Sequence, residues 1–327
     1  MKKIFGLLSC CIVLGIGCTK TSLNEEENEA LPAVTTNLTH RGCASEEVLQ
    51  QQLKDDPTLA VRMEAIEEFT ERYKQNPSAY RLLSNGMIEI PVVVNVVYKT
   101  AAQNISAAQI QTQIDVLNND FAATNSDISS VPATFQGVQA GDVGVRFVLD
   151  QVIRKSTSKS SFTTNDGVKK ANGGGIAPTS PTTKLNLWTC NLSNGVLGYA
   201  QFPGGSSATD GVVILYSAFG VTTAGAPYNK GRTATHEVGH WLNLRHIWGD
   251  AQCGNDFVTD TPLHTGSNFG CPASGARSSC SGSPVMMTMN YMDYTDDLCM
   301  YMFSAGQKTR MNATFVAGGA RNSFAQP

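Results

Sequence analysis

Apolar residues between positions 44 and 76 recur at spacings of three and four. Leu59, Met63, Ile66, Phe69 and Tyr73 would share one helical face. Pro57 interrupts the run and Asn76-Pro77 closes it, so the pattern predicts two helices. Over residues 86–100 the period changes to two: Ile88, Ile90, Val92, Val94 and Val96 alternate as in a strand. Residues 77–86 therefore mark a boundary between a small helical N-terminal region and a main domain. In that domain residues 105–122 read as an amphipathic helix, with Ser106 as N-cap and Ile110, Ile114, Leu117 and Phe121 on one side. Strands are predicted at 143–152, 184–191 and 211–216, and a strand edge after Gly198. The stretch 156–183, rich in Ser, Thr, Gly and Pro, reads as loop. A helix follows at about 233–244, and beyond His246 the chain is loop-rich. This order predicts an α/β (α+β) layout with mixed strands.

The chemistry concentrates in the last of those helices. Three of the five histidines, His236, His240 and His246, fall in it or just after it. Residues four apart share a helix face, so His236 and His240 can present two imidazoles to one metal ion. Glu237 lies about 100° round the helix, with a side chain long enough to reach a water on that metal. His246 supplies a third nitrogen if the chain turns back. Three protein ligands and an open position is the arrangement of catalytic zinc, whereas structural zinc is usually closed by four. Zinc there would polarise a water and a scissile carbonyl, and Glu237 would pass the water's proton to a leaving amine.

Net charge is −3 over 327 residues with no basic patch, which argues against nucleic acid as a partner. Met1-Lys2-Lys3 and the short apolar stretch 4–17 form an export signal too short to span a membrane. Gly15-Ile16-Gly17-Cys18 resembles a bacterial lipobox, in which Cys18 becomes the lipidated first residue; an ordinary secretory signal is the alternative. Residues 19–31 are polar and acidic and read as a tether.

Cysteine usage fits export. Cys253, Cys271, Cys280 and Cys299 suggest two disulfides, in any of three pairings. Cys190, in an alternating strand-like run, reads as a buried free thiol. Cys43 follows Arg41-Gly42. A thiolate is a good zinc ligand, and Arg41 would favour the ionised form, so Cys43 is expected to hold zinc's open position in a latent enzyme. An inconsequential thiol, or a pairing with Cys190, is the alternative.

The spacing from His236 to His246 resembles the metzincin metalloprotease motif HExxHxxGxxH, with Asn243 in the glycine position. Asn is the next most tolerant residue for the left-handed turn that glycine makes. Asn290-Tyr291-Met292-Asp293-Tyr294 resembles the metzincin Met-turn. That resemblance places Met292 as the floor beneath the histidines and Tyr294 as a stabiliser of the developing oxyanion. Arg232-Thr233-Ala234-Thr235, Trp248-Gly249-Asp250, Asp260-Thr261-Pro262 and the segments 198–205 and 290–297 are most similar to the pappalysin family, in its bacterial cytophagalysin-like branch. This resemblance implies a twisted sheet above a cleft, an irregular C-terminal subdomain, and disulfides Cys253–Cys280 and Cys271–Cys299. It also implies calcium at Asp256, Thr259 and Thr261. Some relatives prefer arginine after the scissile bond, through an aspartate just before the cysteine matching Cys299. Here that position is Leu298, so a more apolar pocket is expected, with Asp296 and Asp297 close enough to overturn it.

The expected protein is a zinc endopeptidase made as a zymogen: a signal at 1–17, a lipoprotein tether and helical propeptide at 18–83, and a catalytic domain at 84–327, with Arg81-Leu82 as one processing point. It is expected to be a monomer at a bacterial surface, soluble after processing, and to act on proteins or peptides. Two alternatives are a non-catalytic surface binding protein and a zinc amidase. Intact Glu237, Tyr294 and the three histidines argue against the first. The possible strand edge after Gly198, suited to a polypeptide laid alongside, argues against the second.

Overall fold

The computed structural model describes residues 41–79 and 87–325. The expected signal, Cys18, the tether, Arg81-Leu82 and the boundary at 83–84 lie outside these residues. The alternating run at 88–96 becomes the centre of the fold. Strand β1 (Ile88–Tyr98) is buried on both faces from Val92 to Val97. It pairs in parallel with β2 (Val145–Ser156) on one side and β3 (Leu185–Cys190) on the other. A register shift at Val92/Val93 marks a bulge against β2. Two further strands complete the sheet, β4 (Gly198–Ala200) and β5 (Val212–Leu215), in the order β2-β1-β3-β5-β4. Only β4 runs antiparallel. Strand β2 outruns its expected end, and its second half is mostly solvated, as an outer strand can be.

Helix α1 (Ser45–Asp55) and helix α2 (Thr58–Gln75) form the N-terminal pair, split at Pro57 as the pattern predicts. Helix α3 (Ala107–Phe121) starts at Ser106, whose hydroxyl accepts from Gln109 N–H at 3.1 Å. It lays Ile110, Ile114, Leu117 and Phe121 into the main core. A single turn, α4 (Ala133–Gln136), precedes β2. Helix α5 (Arg232–Trp241) carries His236 and His240 and is wholly buried. The pattern did not predict α6 (Ala305–Ala313). It opens with a reciprocal cap between Ser304 and Gln307.

The loop-rich remainder is stapled by Cys253–Cys280 and Cys271–Cys299, the pairing the resemblance implies. Cys190 and Cys43 are free and buried, so they do not pair with each other. The N-terminal helices are fixed by small apolar clusters. Leu49, Leu59 and Met63 enclose Phe202, and Tyr73 packs with Ala313 and Val316. Each large side chain so removed from water contributes about 1.5–3 kcal/mol.

Candidate metal centre and its N-terminal cover

Helix α5 is anchored before it reaches the histidines. Thr235 Oγ1 donates to Asp120 Oδ2 at 2.8 Å, and Asp297 Oδ2 accepts from the N–H groups of Lys230 and Arg232 at 2.8 and 3.3 Å. The helix stops at Trp241. Asn243 then turns left-handed, at φ 71°, which swings His246 back beneath the helix.

Each imidazole is oriented through Nδ1. His236 Nδ1 meets Tyr291 O at 2.7 Å, His240 Nδ1 meets Leu244 O at 2.8 Å, and His246 Nδ1 meets Asp250 Oδ1 at 2.5 Å. A nitrogen facing a carbonyl must donate, so the lone pairs of His236 and His240 lie on Nε2. Burial first, and then the neighbouring imidazoles, push both groups well below the usual histidine range, which keeps them neutral. The Nε2 atoms converge: His240 to His236 is 3.2 Å and His240 to His246 is 3.1 Å. Converging lone pairs in a buried site repel unless a cation lies among them. The donor set therefore fits zinc. Cys43 Sγ belongs to the same group, whose ligand atoms all lie within 4.8 Å of one another.

Trp248 stacks on His246 with centroids 4.3 Å apart. Met292 is fully buried below, and a Cβ added to Gly239 would stand 2.5 Å from its sulfur. Only glycine lets the Met-turn approach the helix this closely. Gly198 has a similar role, since a Cβ there would meet Glu237 Cγ at 2.9 Å. Gly239 was not singled out in the sequence, and Gly198 only as the start of a strand edge. Asp250 was quoted only as part of a motif. With its carboxylate on His246 Nδ1 it should hold that ring in place, and such supporting groups typically govern 10–100-fold in metal affinity. Asp250→Asn should weaken zinc binding by about that factor, measured by competition with a chelating dye; unchanged affinity would remove Asp250 from the site.

The N-terminal segment covers this centre. Cys43 forms a parallel bridge with Gly198. Ala44 N donates to Gly198 O at 3.0 Å, and Leu197 N to Gly42 O at 2.7 Å. Along this segment alternate residues reach the site, the period of an extended chain. Arg41 Nη2 donates to Asp297 Oδ1 at 2.5 Å, its Nε to Thr295 O at 3.2 Å and its Nη1 to Thr233 Oγ1 at 3.1 Å; its guanidinium lies over the Tyr228 ring. Cys43 Sγ donates to Glu237 Oε2 at 3.4 Å, and Ser45 Oγ donates to the same oxygen at 2.7 Å. Burial pushes Glu237 up to about 7, against the hydrogen bonds from Ser45 and Cys43 that lower it. Tyr294 OH donates to the carbonyl of Cys43 at 3.2 Å.

Two expectations need correction. Arg41 does not serve the thiol of Cys43, because its donors go to Asp297, Thr295 and Thr233. Burial, followed by the charge of Glu237, instead pushes that thiol well above its usual value. The expected specificity residue, Leu298, is 62% exposed, while its neighbour Asp297 is fully buried and meets Arg41. Among the expected calcium residues, Asp256 Oδ2 accepts from Thr261 Oγ1 at 2.8 Å and its Oδ1 from Val258 N at 3.0 Å, whereas Thr259 faces solvent.

Comparison with known proteins gives consistent matches. Residues 180–316 match the peptidase M43 family, described as pregnancy-associated plasma protein-A. An extracellular metalloprotease of Colletotrichum graminicola is 33% identical over 309 residues, which cover 88% of this chain and 95% of that one. Extracellular metalloprotease 1 of Coccidioides posadasii is 33% identical over 69% of this chain and 76% of its own length. A variant of Tannerella forsythia promirolysin superposes with a TM-score of 0.79 at 41% identity, covering 87% of this chain and 97% of that chain. Mature mirolysin in complex with a cleaved peptide gives 0.71 at 45% identity, covering 73% and 95%.

Proposed function

Because the chain belongs to the pappalysin (peptidase M43) family of metalloproteases, we propose that it is a zinc endopeptidase in its latent form, with Glu237 as general base and acid and residues 41–79 as its inhibitory cover. The convergence of three buried Nε2 lone pairs beside the Glu237 carboxylate carries the reading. His236, His240 and His246 would hold zinc, which supplies a more acidic water and a polarised scissile carbonyl. Glu237 takes the proton of the attacking water and delivers it to the leaving amine. Tyr294, whose hydroxyl now donates to the Cys43 carbonyl, is placed to donate to a substrate carbonyl as charge develops on its oxygen.

Latency follows from the same contacts. Cys43 lies among the zinc ligands, Ser45 ties up Glu237, and Gly42–Ala44 lies along the edge of β4 where a substrate strand would pair. Zinc would favour the Cys43 thiolate, reversing the effect of burial. In the full-length protein Cys43→Ala should shorten the lag before peptide cleavage begins; an unchanged lag would count against the switch.

Asp297 gives the specificity. A buried carboxylate that accepts the Arg41 guanidinium would accept a substrate arginine, and the preferred cut would lie before that residue. This replaces the apolar pocket expected from Leu298. Calcium belongs to this reading at Asp256, Thr259 and Thr261, with Thr259, exposed as it is, able to offer its backbone carbonyl. Export fits the extracellular relatives. A lipid on Cys18 and release by cleavage at Arg81-Leu82 complete the proposal; mass spectrometry of the N-terminal peptide and of the activated protein tests both.

A further inference from the structure

Beyond the metal centre, the N-terminal segment covers a second feature of the cleft. The Phe202 ring lies 5.2 Å from the ring of His240. It is 3% exposed, and its apolar cluster otherwise consists of Leu49, Leu59 and Met63, all from the N-terminal helices. The Arg245 guanidinium lies over the same ring at 4.4 Å. Its Nε has no hydrogen-bond partner, and its only ion pair among the described residues is Nη1 to Glu46 Oε2, at 3.5 Å. Once residues 41–79 leave, a flat aromatic face and a cation with unused donors remain beside the zinc ligands.

We propose that Arg245 and Phe202 form a substrate subsite for an acidic side chain on the side of the metal opposite Asp297. The inference rests on the peptidase reading above. The covering segment shows the order of the sites: Arg41 meets Asp297, Cys43 lies at the histidines, and Glu46 meets Arg245. With arginine placed after the cut, Arg245 faces residues before it, in a chain running opposite to residues 41–46. Cys43 and Glu46 are separated by Ala44, the N-cap of α1 at φ −111° and ψ 18°, and by Ser45, its first helical residue. An extended substrate would cover that gap at about 3.3 Å per residue, so the subsite falls roughly two to four positions before the scissile bond. Glu46 is a stand-in for the ligand: a carboxylate held against a guanidinium that a ring backs from behind. Arginine suits this position because its planar group can stack and donate at once. The pair is partly exposed, at 16% for Arg245 and 28% for Glu46, so its effect is on selectivity and weakens with salt.

The test uses full-length protein activated by limited proteolysis and a peptide set with arginine after the cut. Glutamate, glutamine or lysine is placed in turn at the second, third and fourth residues before it. The glutamate peptide should be cleaved about tenfold more efficiently than the lysine peptide at one of these positions. That ratio should approach one in Arg245→Gln and invert in Arg245→Glu. Equal cleavage at all positions by the wild type, or an unchanged ratio in Arg245→Gln, overturns the subsite and leaves the peptidase reading standing. Failure of zinc-loaded wild type to cut any peptide sinks both together. The ratio compares two peptides on one sample, so general damage at the adjacent His246 does not imitate it. If both variants misfold, the wild-type ratio still decides.

Discussion

Glu237→Gln should lower kcat/KM by about 10²–10⁴-fold while zinc content stays at that of the wild type. The substitution keeps shape and removes the basic oxygen. Glu237 is not in the group of residues placed to hold a metal, which is His236, His240, His246 and Cys43. Its Oε2 is instead the acceptor that the covering segment occupies through Ser45. The predicted fall is in kcat with little change in KM, because proton transfer belongs to the transition state and not to ground-state binding. Metal analysis and melting temperature taken alongside separate this from loss of the site. Retained activity with zinc bound would remove Glu237 from the mechanism.

The second large effect is expected at Asp297. Its Oδ1 meets the Arg41 guanidinium in full burial, and removing one partner of such a pair costs about 2–5 kcal/mol, on the order of thirtyfold to several-thousandfold. Asp297→Asn should therefore cut the efficiency on peptides with arginine after the scissile bond by about that factor, with far less change for peptides carrying leucine there. Asp297 Oδ2 also accepts from Lys230 and Arg232 N–H at the start of α5, so some loss of stability is expected. The arginine-to-leucine ratio on the same sample is the readout that stability does not shift. The variant should also be less latent, since Arg41 loses its carboxylate. An unchanged ratio would place specificity elsewhere.

Local patterns were readable and long-range partners were not. The period-four histidines locate α5, and Asn243 takes the left-handed turn expected where the metzincin motif has glycine. The alternation at 88–96 marks the central strand. Helix α6 was missed although Ser304 and Gln307 stand at capping-box spacing, because the apolar period around them is weak. Leu298 was chosen by its offset from Cys299. Residues 297–299 form a 3₁₀ turn, in which neighbouring side chains point about 120° apart. That turn sends Asp297 inward and Leu298 into solvent. Arg41 and Ser45 meet partners more than 190 positions away, and no local pattern encodes such a pairing.

Digestion of a peptide library by the activated full-length protein, read by mass spectrometry, decides whether the chain is an endopeptidase with zinc on His236, His240 and His246 and a pocket for arginine. Internal cuts before arginine are expected, lost on chelation, restored by zinc and absent in Glu237→Ala. A folded, zinc-loaded sample that cuts nothing would rule the endopeptidase out.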